Sequence, residues 1–135
     1  PKTPKPHCSN KFKKEDSIIV TGQIDNKQSR ELIFRSKAVI TATRLYEGQP
    51  TLLTEASIMG VPSIFSNNGG ISEFYPENYK LMYTCLSDKD LLKKLNYLND
   101  SELLMSTGKE NQLFIQKLLN ENNYIQNFSE ILNHE

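Results

Sequence analysis

Two carboxylates, Glu47 and Glu55, stand eight residues apart in Tyr46-Glu47-Gly48-Gln49-Pro50-Thr51-Leu52-Leu53-Thr54-Glu55-Ala56. A carboxylate can accept hydroxyl protons on both oxygens, so two of them turned toward one ligand suit a polyol. The first lies in a Gly/Pro loop, and the second falls about one turn into the helix expected to follow. Gly48 has no side chain to clash and lets the backbone approach a ligand closely. Pro50 presets φ for a first helical turn and lacks the N–H that such a turn leaves unpaired. The helix start offers free N–H groups and the positive end of a dipole, where phosphate or sugar oxygens bind. This constellation reads as a grip on a nucleotide-sugar.

The elements that must position these groups can be read from the apolar pattern. Residues 17–22, 37–41, 61–66 and 81–84 are short, largely β-branched or apolar runs and are predicted as strands. Residues 29–35 and 50–60 are predicted as helices, the second ending at Gly60, the usual kind of C-terminal stop. Asn67-Asn68-Gly69-Gly70 is a loop. Beyond it the pattern is helical. Ser87 and Asp90 form a capping arrangement, Leu91, Leu92, Leu95 and Leu98 recur at helical spacing, and further helices are expected at 101–119 and 123–133. Apolar strands alternating with helices predict an α/β, Rossmann-like parallel sheet with helices on both faces. In such sheets ligands bind beyond the carboxyl ends of the strands. Both glycine-containing loops, at 47–50 and 67–70, leave strands at that edge, and Gly69 and Gly70 are further points of close backbone approach.

Composition excludes several classes. One domain fits 135 residues, and sixteen basic against sixteen acidic residues leave no net charge to attract nucleic acid or anionic lipid. Thirteen of the sixteen basic residues are Lys, which together with abundant Asn and Ile reflects an A/T-rich coding sequence. Cys8 and Cys85 fit no metal spacing and read as two free thiols. No run approaches the roughly 20 apolar residues of a membrane span. The expectation is a cytoplasmic protein, free or peripheral at the inner face of the plasma membrane. Residues 1–16, rich in Pro and Lys with Phe12 as the one large apolar side chain, read as a connector or severed segment.

The stretch from Ser36 to Glu73 resembles the donor-binding domain of retaining GT-B glycosyltransferases, most closely glycosyltransferase family 4. Lys37 to Thr41 looks like the strand before the site, and Glu47 to Glu55 like the family's E-x(7)-E signature. Met59-Gly60-Val61-Pro62 resembles its helix-to-strand turn, and Ser66 to Glu73 its glycine loop. The resemblance implies that Glu47 holds hydroxyls of the donor sugar and acts at the catalytic centre. Glu55 would accept from the ribose hydroxyls, and backbone amides around Gln49, Pro50, Thr51 and Leu52 would meet the sugar or diphosphate. It also implies a UDP- or GDP-sugar donor, no metal or other cofactor, and retention of anomeric configuration. The acceptor, a glycan or lipid-linked glycan, would bind an N-terminal domain. The setting would be bacterial surface polysaccharide synthesis.

The departures carry information too. The family commonly has Gly-Phe-Gly-Leu-Pro after the first Glu, where this chain has Gly48-Gln49-Pro50-Thr51-Leu52. The basic pair that neutralises the diphosphate finds no match, and neither does the acceptor domain. Residues 17–135 therefore read as part of a donor domain, inactive alone. The alternatives are a non-catalytic flavodoxin- or receiver-like α/β module and a degenerate transferase subunit. Against a receiver, the strands at 18–22 and 61–66 lack its acidic cluster and terminal Asp.

Overall fold

The structure, a computed structural model, describes residues 18–120. The expected connector at 1–16, Cys8 and the expected helix at 123–133 lie outside the described residues. Three parallel strands, β1 (Val39–Ile40), β2 (Ser63–Ser66) and β3 (Met82–Tyr83), form a sheet in the order β1-β2-β3. Val39 pairs with Ser63 and Ile40 with Ile64, while Phe65 pairs with Met82 and Ser66 with Tyr83. All four residues of β2 are buried, as the central strand of a sheet covered on both faces requires. The parallel α/β architecture predicted from sequence is the one observed.

Helix α1 (Asn26–Arg35) begins earlier than the apolar pattern suggests. The Asp25 carboxylate accepts from the Gln28 N–H at 2.8 Å, and the Gln28 side chain accepts from the Asp25 N–H at 3.2 Å. This reciprocal pair satisfies two otherwise orphaned donors and starts the helix before Ser29. Helix α2 (Thr51–Ile58) joins β1 to β2. It closes with Gly60 at φ +73°, where the Gly60 N–H donates to Ser57 O and the Val61 N–H to Ala56 O. That double closure turns the chain straight into β2.

The run at 18–22 is not a strand. Ile18, Ile19 and Val20 are 57%, 86% and 80% exposed, and none of the described strands pairs with them. β-Branched residues favour an extended backbone, but only a neighbouring strand makes a sheet of it, and β1 is the last strand described on that side.

Helix α3 (Asp88–Asn96) is capped by the Ser87 hydroxyl, which accepts from the Asp90 N–H at 3.2 Å. The Asp90 carboxylate does not return to Ser87. It accepts from the Thr84 N–H at 2.7 Å, and this bond holds its pKa below the usual carboxylate value. Helix α4 (Ser101–Leu118) crosses α2 closely. A Cβ on Gly108 would collide with the Gly60 carbonyl oxygen and come within 3.1 Å of Pro62 Cδ. Asn111, fully buried, donates to Ser57 Oγ at 2.6 Å and ties the two helices together.

Beneath the sheet, Phe65, Tyr75 and Tyr79 form an aromatic cluster, with ring centroids 4.3 Å apart for Phe65–Tyr75 and 4.6 Å for Tyr75–Tyr79. The Tyr79 hydroxyl accepts the N–H of Ser63, the first residue of β2, at 2.9 Å. Burial pushes both phenols above their ordinary value, with the Ser57 hydroxyl opposing this for Tyr75 and the Ser63 N–H for Tyr79. A phenol with a raised folded-state pKa contributes stability that is whole below the unfolded value of about 10 and is lost as pH rises beyond it. Urea midpoints should therefore hold level from pH 7 to about 9 and fall above about 10. Tyr79→Phe should flatten that alkaline fall. At neutral pH it should lower stability by about 1–3 kcal/mol, because the Ser63 N–H is left buried without an acceptor. An alkaline limb unchanged in Tyr79→Phe would contradict this account.

Candidate functional site

The candidate site is assembled where β1 and β2 end. The chain leaves β1 through Thr41 to Pro50, and leaves β2 through Asn67 to Gly70, so both loops rise from the carboxyl edge of adjacent strands. They join directly. Glu47 bridges Gly69 in a parallel arrangement, and the Gly70 N–H donates to Glu47 O at 3.0 Å. Gly69 has φ +84°, a conformation that side chains rarely tolerate, and a Cβ there would overlap the Glu47 carbonyl oxygen. The backbone thus needs glycine at 69 so that the two loops can meet. Gly70 differs. A Cβ there would make ordinary contacts with the Glu73 carboxylate at 3.6 Å and Gly48 Cα at 3.8 Å.

Gly48 is exposed, and a Cβ on it would meet nothing within 4 Å. No intramolecular packing explains a glycine at that position. Gln49 is exposed beside it, and Gln49 and Pro50 line a narrow cleft with Thr54, Ile71, Phe74 and Tyr75.

Pro50 is the residue before the helix rather than its first helical residue. Its φ of −63° and ψ of 124° are extended, and its carbonyl accepts from the N–H groups of Leu53 and Thr54. Pro50 cannot cap with its side chain, so the N–H groups of Thr51 and Leu52 have no acceptor among the described residues. They point outward at the positive end of α2. Glu55, one turn in, is half-buried, as is Glu47. Neither carboxylate is hydrogen-bonded or ion-paired to another described residue. Both keep their acceptor capacity for a ligand.

Two residues not singled out from the sequence, Asn67 and Asn68, hold these loops in place with four hydrogen bonds. The Asn67 carboxamide oxygen accepts from the Cys85 N–H at 2.7 Å, and the Asn67 N–H donates to Tyr83 O at 2.9 Å, fixing the glycine loop to the end of β3. The Asn68 amide donates to Leu45 O at 3.0 Å and to Arg44 O at 3.4 Å. The Arg44 side chain is exposed. Glu73, in the short 3-10 helix Ile71–Phe74 that follows the glycine loop, makes no side-chain capping bond and lies beside Gly70. Among the described residues no cluster of His, Cys, Asp and Glu is arranged to hold a metal ion. No described helix is long and apolar enough to cross a membrane.

Residues 6–121 match the family described as Glycosyl transferases group 1. Protein CapJ of Staphylococcus aureus is 29% identical over 129 residues, a stretch that covers 93% of this chain and 32% of CapJ. The chain spans about a third of the length of that curated relative. No solved structure matches it significantly.

Proposed function

Because the chain belongs to the group 1 glycosyl transferases, we propose that its paired loops are the donor-sugar grip of a retaining, family 4 type enzyme. The observation that carries this reading is the junction of Glu47–Gly48 with Gly69–Gly70 beside the open N-terminus of α2. It gathers two carboxylates and two amides without partners among the described residues, and one sterically open glycine, at the carboxyl edge of the sheet. Glu47 accepts from hydroxyls of the donor sugar. Glu55 accepts from the ribose of a UDP- or GDP-sugar. The amides of Thr51 and Leu52 meet sugar or diphosphate oxygens, with Gly48 clearing the approach and Gln49 shaping which sugar fits.

In the reaction proposed, the bond between the anomeric carbon and the diphosphate oxygen breaks. The acceptor hydroxyl oxygen bonds that carbon from the same face and gives its proton to the departing phosphate. The residues contribute positioning and stabilisation of charge. No metal or additional cofactor takes part. Surface polysaccharide assembly in the bacterial cytoplasm, with the acceptor a glycan or lipid-linked glycan, is the setting we assign. Similarity to a Staphylococcus aureus protein supports a bacterial source for that setting.

The test is slow nucleotide release, without acceptor, from a panel of UDP- and GDP-sugars by the protein as its gene encodes it. One donor should be turned over selectively, EDTA should not slow the release, and the sugar released to water should keep its anomeric configuration by proton NMR read before it mutarotates. Release with inverted configuration would overturn the retaining assignment. Silence across the panel, with no nucleotide bound by calorimetry, would leave a degenerate subunit as the better account.

A further inference from the structure

The geometry points to Asn68 as a positioning residue that sets the place of the Glu47 carboxylate, an inference that rests on the donor-grip reading above. Among the described residues the backbone of Glu47 is held on one side only, through its bridge to Gly69 and the Gly70 N–H. What precedes it has little else to fix it. Arg44, Leu45 and Tyr46 are exposed, with Leu45 and Tyr46 at 73% and 79%. Beyond the Glu47 junction, the hydrogen bonds of this stretch among the described residues are the Leu45 N–H to Thr43 Oγ1 at 3.0 Å and the two donated by Asn68.

The first of these is local and moves with the loop. The Asn68 bonds reach 23 and 24 residues back along the chain and tie it to the glycine loop. Both acceptors are carbonyl oxygens, so the group facing them must be the NH2 of the carboxamide, since two oxygens would repel. Asn68 is itself set by its neighbour Asn67, which is anchored to β3 through Tyr83 and Cys85. The result is a clasp with two arms. The amide of Asn68 holds the chain before Glu47, and the Gly69–Gly70 backbone holds Glu47 itself. Without the first arm the carboxylate can swing about its bridge to Gly69, and a misplacement near 1 Å can lower a rate about 100-fold.

Asn68→Asp keeps the shape and removes both donors, which makes it the sharpest test. In the gene-encoded protein it should lower kcat for donor turnover by about tenfold or more. Affinity for the free nucleotide should stay within about twofold, because the Glu55 side of the site is untouched. The double variant Asn68→Asp/Glu47→Gln should be no slower than Glu47→Gln alone, since Asn68 acts only through Glu47. Exchange of the Gly70 amide hydrogen, protected by the Glu47 carbonyl, should accelerate in Asn68→Asp and in Asn68→Ala alike. Unchanged kcat in an active protein, or losses that add fully in the double variant, would overturn the inference while leaving the donor grip standing. If the unmodified protein turns over no donor, the grip has failed. Gly70 exchange then decides the clasp by itself, and unaltered exchange would overturn it.

Discussion

Gly69→Ala is expected to lower stability by about 2–4 kcal/mol and to abolish measurable donor turnover, the largest combined effect of any single change at this site. Two causes act together. The backbone at 69 sits at φ +84°, and an added Cβ would overlap the Glu47 carbonyl oxygen and lie 2.9 Å from its nitrogen. Neither contact is with a flexible side-chain tip, so relief requires the two loops to part. Parting them breaks the Gly70 N–H bond to Glu47 O and displaces the carboxylate to which the proposal gives the donor sugar. The neighbouring glycines serve as controls because their surroundings differ. Gly70→Ala meets only ordinary contacts and should leave the melting temperature within a few degrees of the parent. Gly48→Ala meets nothing and should leave stability unchanged while raising KM for the donor, because the space it fills is the proposed ligand's. Thermal melts of the three variants, set beside donor kinetics, check all of this. Equal destabilisation by Gly69→Ala and Gly70→Ala would show that the junction is looser than described.

How much of this was readable in advance depends on whether the cause was local. The strands at Val39, Ser63 and Met82 are apolar runs whose burial follows from composition, and the Gly60 turn follows from a left-handed closure that glycine suits. The Asp25–Gln28 cap was equally local, but it precedes any apolar periodicity, and a search led by periodicity starts the helix too late. Residues 18–22 show the opposite failure, in which β-propensity was present and a partner strand was not. Tyr75 and Tyr79 lie in a segment with no regular period. Their packing on Phe65, and the bond from Ser63 to Tyr79, come from tertiary contact alone. At the site, Glu47 and Glu55 were legible by type and spacing, and the glycines by position. Free approach of a ligand is the sequence-level reason for Gly69, and the structure adds a second, the Glu47 carbonyl it must clear. Asn68 was invisible as a clasp because its acceptors lie more than twenty residues upstream.

Glu47→Gln and Glu55→Gln should each cut kcat/KM for the donor by about 10- to 100-fold, and they should do it in different ways. A carboxylate accepting from a hydroxyl makes a charge-assisted bond roughly twice as strong as the neutral bond an amide can make. A Gln at 47 also offers donors where the sugar hydroxyls want acceptors. In the proposed grip Glu47 holds the part of the donor that reacts, so its loss should appear mainly in kcat, with binding of the free nucleotide unchanged. Glu55, in the same proposal, holds the part that does not react, so its loss should raise KM and weaken free UDP or GDP by a similar factor, measurable by calorimetry. Folding stability should hold in both variants, and this separates the grip from a structural role. Neither side chain has a hydrogen-bond or ion-pair partner among the described residues, so the change leaves no group orphaned. Residues kept for a ligand rather than for the fold are the ones whose replacement leaves stability unchanged or improved. If either substitution instead lowers the melting temperature by as much as Tyr79→Phe does, that carboxylate belongs to the scaffold. If both leave donor kinetics untouched in an active protein, the sugar is held elsewhere.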